Sequence, residues 1–281
     1  MSQQTKSSAA VSEIIRVAWW SLRALGCPVG AIEVTARLVT YSEVLTGDTL
    51  AALRRNEAAL LAAYAGDEPR FSVTGEATGV IDAGGRSMLD VGPRAIDLVT
   101  GLAKRRSGAL RVTVTRFADT IGLAGAATIA AQRGIGLVFV DADSRRSWGF
   151  YAVNRHGEIT SLSGQLNHGS LHDLMLTLRE IAGEGFPEVT GSDLLHGDST
   201  GLELVALPFT ARDDLAAVAS RHAGVACNDV SAALKKGYAQ GVDVAEEDLR
   251  FLYQLETRTW APSSERSRQQ AGFQVAVAAS Q

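Results

Sequence analysis

The chain has 281 residues, 46% of them hydrophobic, and a formal net charge of −4 at pH 7. This size allows one large domain or two smaller ones with real cores, and the charge lacks the basic footprint of a nucleic-acid-binding protein. Nucleic acid is therefore not expected as a partner. The sequence also has no uninterrupted apolar run of about eighteen residues, so no membrane partner is expected. The polar N-terminus has no signal-peptide core and the two cysteines are isolated, so we expect a cytoplasmic protein.

The first 65 residues read as a helical unit. Apolar residues recur at three- and four-residue steps, which predicts helices over 11–26, 31–40 and 50–64. Further helices are predicted near the end of the chain, at about 228–239 and 246–257. We therefore predict that the N-terminal helical unit, 1–65, is joined by 228–281.

Residues 66–227 are predicted to form a central α/β domain. Strands are expected near 70–74, 78–82 and 87–90, before a helix that starts at Pro93 and ends near Lys104. A strand, a turn, a helix and a second strand then follow within 112–143. The rest is predicted as a hairpin around Arg155-His156-Gly157, a helix over 170–182, the strand "GLELVALPF" and a helix near 212–222.

The turn between the strand and helix of 112–143 is the main candidate for chemistry. Gly122 and Gly125 are spaced as in a dinucleotide-binding turn and Asp141 follows, but the leading G-x-G is missing. One interpretation is a closely packed helix that Asp119 or Thr120 caps. The other is that Arg116 and Asp119 line a site at the end of the strand, where α/β sheets bind ligands.

Two further polar stretches are candidate ligand sites. His168 and His172 are four residues apart, but too few other ligands are near, so no metal site is predicted. The segment "RTWAPSSERSRQQAG" carries Ser264, Arg266 and Arg268, which suit a carboxylate or phosphate. The alternative for this segment is a solvated turn near the C-terminus.

Two long segments give the chain a family resemblance. The stretches "SLRALGCPVGAIEVTARLVTYSEVLTGD" and "GVIDAGGRSMLDVGPRAIDLVTGLAKRRSGALRVTVTRFADTIGLAGAATIAAQRGIG" resemble the type 2 malate/L-lactate dehydrogenase family. That family consists of NAD(P)-dependent reductases of 2-oxoacids and cyclic imino acids. The segment "LYQLETRTWAPSSERSRQQAG" is more similar to an uncharacterised family, a domain of unknown function.

The resemblance implies a mixed α/β fold, a helical unit packed on a central mixed-sheet domain, and not a standard Rossmann fold. It also implies a homodimer, with Trp19 and Trp20 as a possible contact. The predicted site residues are, as catalytic groups, Asp119, Thr120 and Arg116; as cofactor-binding groups, Gly122 and Gly125; and as groups that bind a small anionic metabolite, Arg55, Ser264, Arg266 and Arg268.

The chain departs from the family where the family carries histidine. The family's Ser-His-Gly motif falls on Leu45-Thr46-Gly47-Asp48, and its catalytic histidine falls on Thr120. Threonine does not exchange a proton near neutral pH as imidazole does. Two functions stay open: an NAD(P)-dependent dehydrogenase in which Asp119 replaces the histidine, and a non-redox member of the fold. The second would be a hydrolase or isomerase of a small anionic metabolite, or a non-catalytic partner subunit.

Overall fold

The structure is a computed structural model. It describes residues 5–64, 67–106, 109–141, 147–165, 201–208, 210–211, 215–222 and 224–260. Nine helices lie in this described part of the chain: α1 Val11–Ala24, α2 Val29–Thr46, α3 Thr49–Arg55, α4 Glu57–Tyr64, α5 Met88–Arg106, α6 Leu123–Gln132, α7 Leu215–Ala219, α8 Val230–Gln240 and α9 Glu246–Arg258. None of them is long and apolar enough to cross a membrane.

The strands form one large sheet and one small one. Their bounds are β1 Lys6–Ala9, β2 Arg70–Val73, β3 Thr78–Asp82, β4 Leu110–Thr115, β5 Ile135–Asp141, β6 Ser147–Asn154, β7 Ile159–Gln165, β8 Leu202–Pro208, β9 Thr210–Ala211, β10 Ala226–Asp229 and β11 Val242–Ala245. The large sheet has the order β10-β7-β6-β5-β8-β4-β3-β2, with β9 beside β6. Both parallel and antiparallel pairs occur in it, so the prediction of a mixed α/β fold is confirmed.

The N-terminal helices form largely where the apolar periodicity predicts them. Ile14, Ala18 and Leu22 are buried along one side of α1. Gly47 ends α2 in a left-handed conformation at φ 68°, which glycine adopts without steric cost. The helix predicted over 50–64 is interrupted at Asn56, so that α3 and α4 are separate helices.

The strand predicted near 87–90 is wrong, because these residues open helix α5. The Ser87 hydroxyl accepts a hydrogen bond from the Leu89 backbone N–H at 3.1 Å, as a helix N-cap does. Pro93 therefore lies inside the helix and not at its first position. Proline predicts a helix start well only where no stronger capping residue precedes it, and here Ser87 does.

The strand-helix-strand unit of 112–143 is present as β4, α6 and β5, and the predicted hairpin is β6 and β7. Strand β8 lies between β4 and β5 and is antiparallel to both. No sequence pattern predicted the small sheet, in which β1 pairs with β11. One hydrophobic core includes residues of the helical unit and of the sheet, so the division at residue 65 stays a prediction. The helix predicted over 170–182 and the two histidines His168 and His172 lie outside the described residues.

Candidate active site

A cavity of about 840 Å³ lies between the helical unit and one face of the sheet. Its walls come from the corner between α2 and α3, the N-terminal end of α6, and strands β5, β6, β7 and β10. This volume is within the usual range for sites that bind small molecules. The cavity is therefore our candidate active site.

Alternating residues of neighbouring strands form the sheet wall. Side chains alternate between the two faces of a strand, and the register places Phe139 beside Gly149 and Tyr151 beside Ser161 on one face. A Cβ atom at Gly149 would lie 2.4 Å from the Phe139 ring, so glycine is required for the ring to lie across it. The rings of Phe139 and Tyr151 have centroids 6.0 Å apart.

The opposite wall depends on close contact between α6 and α2. A Cβ atom at Gly125 would lie 2.1 Å from the backbone oxygen of Leu38, and one at Gly122 would lie 2.0 Å from the Leu38 side chain. Gly122 also has φ 86°, a left-handed conformation. Both predicted cofactor-binding glycines thus allow helix packing. Gly122 also lines the cavity and Gly125 does not.

The N-terminal end of α6 already uses most of its backbone donors. Leu123 N–H donates to the Thr120 oxygen at 3.2 Å, Gly125 N–H to Ser42 Oγ at 2.7 Å, and Ala126 N–H to the Gly122 oxygen at 3.0 Å. A helix N-terminus that binds phosphate needs several free N–H groups directed at the ligand. This end of α6 therefore offers a poor phosphate site.

Of the three predicted catalytic residues in the turn at 116–120, one lines the cavity and two do not. Thr120 lines the cavity, whereas Asp119 and Arg116 do not. Asp119 Oδ1 accepts hydrogen bonds from the Ser87 hydroxyl at 2.7 Å and from the Ile121 N–H at 2.9 Å. Burial raises the pKa of the Asp119 carboxyl, and these hydrogen bonds act against that rise.

Arg116 lies outside the cavity and is exposed. Its guanidinium binds both carboxylate oxygens of Asp82, and this contact holds the pKa of Asp82 below its ordinary value. Arg116 has φ 51°, a rare conformation for a non-glycine residue. The structure thus gives Arg116 an ion-pair contact at the turn.

The corner between α2 and α3 also lines the cavity. Thr46 and Asp48 both line it, and the Thr46 hydroxyl lies 2.7 Å from Asp48 Oδ1 and 3.2 Å from the Thr49 hydroxyl. The resemblance places the family's catalytic histidine at Thr120 and its Ser-His-Gly motif around Thr46. Both threonines line the same cavity.

The charged side chains among the described lining residues are all acidic: Asp48, Asp141 and Asp229. Asp141 is almost fully buried, at 1% exposure, and Asp229 caps α8 by accepting a hydrogen bond from Ala232 N–H. Arg55 is exposed and does not line the cavity. Ser264, Arg266 and Arg268 lie outside the described residues, so their anion-binding role stays a prediction.

The described residues form no cluster of metal-binding side chains. Within the part of the chain that the structure describes, no group of three or more His, Cys, Asp or Glu side chains is placed to hold a metal ion. Cys27 is buried and Cys227 is half-buried, and neither forms a disulfide. Burial raises the pKa of the Cys27 thiol.

Sequence reasoning missed the sheet wall of the cavity. Phe139 and Tyr151 lie on neighbouring strands, and the pairing of those strands determines which side chains lie beside them. The alternation of Ser147, Gly149 and Tyr151 along β6 is a signal that could have shown which side chains share a face.

Comparisons with known proteins place the fold. No family model matches the chain, and no curated protein matches its sequence. Solved structures do match: malate dehydrogenase from Pyrococcus horikoshii, at 12% identity and TM-score 0.60, covers 94% of this chain and 99% of its own. Malate dehydrogenase from Entamoeba histolytica, at 10% identity and TM-score 0.62, covers 92% and 99%.

A third structure is a Δ1-piperideine-2-carboxylate reductase from Pseudomonas syringae, at 15% identity and TM-score 0.55, covering 89% of this chain and 99% of its own. At these identities the likeness is one of fold. The fold-level part of the resemblance is confirmed, and no comparison supports the similarity of the C-terminal segment to an uncharacterised family.

Proposed function

We propose that this chain is a small-molecule enzyme of the dehydrogenase-type fold that does not use imidazole-dependent reduction of a 2-oxoacid. One observation carries the proposal: Thr120 and Thr46 face the same cavity, and no described residue lining it is His, Lys or Arg. Reduction of a carbonyl needs a proton donor with a pKa near the working pH, which a threonine hydroxyl lacks. The carboxylate of a 2-oxoacid also needs a cationic partner.

The described residues do not fit NAD(P). Among the described residues that line the cavity there is no basic side chain that could pair with its pyrophosphate, and the charged ones are acidic. Three of the first four N–H groups of α6 are already bonded, so the helix end offers little compensation.

The second candidate is the NAD(P)-dependent dehydrogenase acting on a 2-oxoacid or cyclic imino acid. Its support is the fold shared with malate dehydrogenases along 94% of the chain, together with the raised pKa of Asp119. In this candidate Asp119 would be the acid in place of histidine, and Arg266 and Arg268 would bind the substrate anion. It would also keep the homodimer that the resemblance implies.

A titration of the full chain with NADH and NADPH distinguishes the two candidates. We expect no saturable change in reduced-nicotinamide fluorescence up to millimolar cofactor. Saturable micromolar binding, or oxidation of NADH or NADPH with oxaloacetate, pyruvate or Δ1-piperideine-2-carboxylate, would refute the first proposal and establish the second. Asp119→Asn is then the matched variant, because it removes the acid and keeps an acceptor for the Ile121 N–H.

A further inference from the structure

Strand β2 is an edge of the large sheet and exposes apolar side chains. Among the described strands it pairs with β3 alone, and all four of its residues are exposed. Val73 is 60% exposed and Phe71 37%, and both lie on the face that carries the buried Ile81 of β3. Proteins usually cover or blunt such an edge, because it invites pairing with further strands. The apolar face of the core thus continues onto a strand whose outer side has no described partner.

The outward backbone groups of β2 are unpaired as well. Thr74 N–H donates to the Thr78 oxygen at 3.1 Å, and this pair continues the register of β2 and β3. Hydrogen-bonded pairs alternate along an antiparallel ladder, so Ser72 bonds to β3, whereas the N–H and C=O groups of Phe71 and Val73 point outward. These outward groups form no hydrogen bond with any described residue. The edge therefore offers two donors and two acceptors to one more strand.

The sequence that follows α9 contains a segment that suits this edge. Residues 261–281 lie outside the described part of the chain, and within them "FQVAVA", at 273–278, places Phe273, Val275 and Val277 at alternate positions. Alternation of aromatic and β-branched residues with other residues is typical of a strand that has one apolar face. The six residues include no proline, glycine or charged side chain, and they are enough to span the four residues of β2.

The chain between α9 and this segment is long enough to reach β2. Arg258, the last residue of α9, forms an ion pair at 2.6 Å with Glu57, the first residue of α4. α4 has 8 residues and is about 12 Å long, and the chain from Tyr64 to Arg70 adds at most about 20 Å. Residues 259–272 span about 45 Å when extended, which exceeds the path along α4 to the start of β2.

We propose that residues 273–278 add to β2 of the same chain as a further edge strand. A second copy of the chain is a less suitable occupant, because a four-residue edge buries far less than the roughly 1,200–2,000 Å² of a stable interface. A tethered segment needs less area, since a short flexible linker holds it at an effective concentration in the millimolar range. β2 does not line the cavity, so this inference is independent of the proposed function.

Hydrogen exchange resolved at single amides of the full chain tests the pairing. In the parent, the outward amides of Phe71 and Val73 should exchange about tenfold or more slowly than in a variant whose segment cannot pair. The Ser72 amide bonds to β3 in both cases, so its exchange should not change. This amide is therefore an internal reference for the integrity of β2.

Proline substitutions in the segment supply the variants. Successive residues of a strand point their N–H groups to opposite edges, so one of Val275→Pro and Ala276→Pro removes a hydrogen bond to β2. At least one of the two should therefore speed exchange at the outward amides of β2 about tenfold. Gln269→Pro, which precedes the segment, is the matched control and should leave those amides unchanged.

Three results would overturn the inference. In the first, the outward amides of β2 exchange in the parent as fast as those of an unstructured peptide, a result that needs no variant. In the second, neither proline variant speeds them although circular dichroism shows both variants folded. In the third, their protection increases with protein concentration, which would show that a second copy of the chain covers the edge.

Discussion

Alanine substitutions at two helical glycines, Gly125 and Gly101, should change the stability of the fold in opposite directions. Gly125 lies in α6 and Gly101 in α5, and alanine is the better helix former by about 1 kcal/mol in the interior of a helix. At Gly101 no atom lies within 4 Å of the added Cβ, so the helix preference acts alone. Gly101→Ala should therefore stabilise the fold by about 0.5–1 kcal/mol.

At Gly125 the added methyl group meets backbone. Its Cβ would lie 2.1 Å from the Leu38 oxygen and 2.8 Å from Ser42 Oγ, and neither distance is one that real Cβ contacts show. Overpacking typically costs about 1–3 kcal/mol, and backbone neighbours cannot rotate away, so we expect the upper end. Moving α6 outward would also weaken the hydrogen bond to Ser42, worth about 1 kcal/mol, which offsets the gain in helix preference.

The net expectation for Gly125→Ala is a loss of about 3 kcal/mol in the free energy of unfolding. For a domain of this size that lowers Tm by roughly 6–12 °C. Both variants should be measured by urea unfolding and by thermal unfolding in the same buffer, with Gly101→Ala as the control. A Tm for Gly125→Ala within about a degree of the parent would refute the packing argument.

Three further predictions concern titratable and basic groups. Burial raises the pKa of the Glu43 carboxyl, whose Oε2 accepts a hydrogen bond from Leu50 N–H at 2.8 Å. The stability that Glu43 contributes is therefore complete below its unfolded pKa of about 4.3, and it is lost as pH rises through the folded pKa. Glu43→Gln should therefore gain stability relative to the parent as pH rises from about 4 to 7, measured by urea unfolding; a difference that does not vary with pH would contradict this. Asp119→Asn should leave Tm nearly unchanged but lower turnover by orders of magnitude if Asp119 is an acid, and unchanged turnover would end that role. Arg266→Lys should weaken the binding of an anionic ligand, because lysine lacks the bidentate fork; equal affinity would return this segment to a solvated turn.

Local sequence signals predicted the helical unit well, because its helices depend on their own apolar spacing and on nearby glycines. The ends were less accurate: α2 runs from Val29 to Thr46, beyond the predicted 31–40, since its apolar periodicity is weak. The prediction at 87–90 is wrong because Ser87, and not Pro93, marks the start of the helix: its hydroxyl accepts the Leu89 N–H. In both helices, several residues could end or begin the helix on local grounds, and tertiary contacts determine which of them does.

The site was predictable only at its turn. Thr120 and Gly122 follow a recognisable strand and precede a recognisable helix, so their position at the end of β4 could be expected. Phe139 and Tyr151 meet because β5 pairs with β6 in one register, and a shift by one residue would turn one of them to the other face. That register comes from long-range pairing, which no local pattern encodes.

The position of β8 has a consequence for how the polypeptide acquires its structure during synthesis. This strand joins β4 to β5, so the two halves of the sheet share no ladder until residues 202–208 have left the ribosome. Before then both strands expose unpaired edges, which invite association with other chains. We expect folding to finish late and slowly, and versions of the chain shortened before residue 202 to aggregate in the cell.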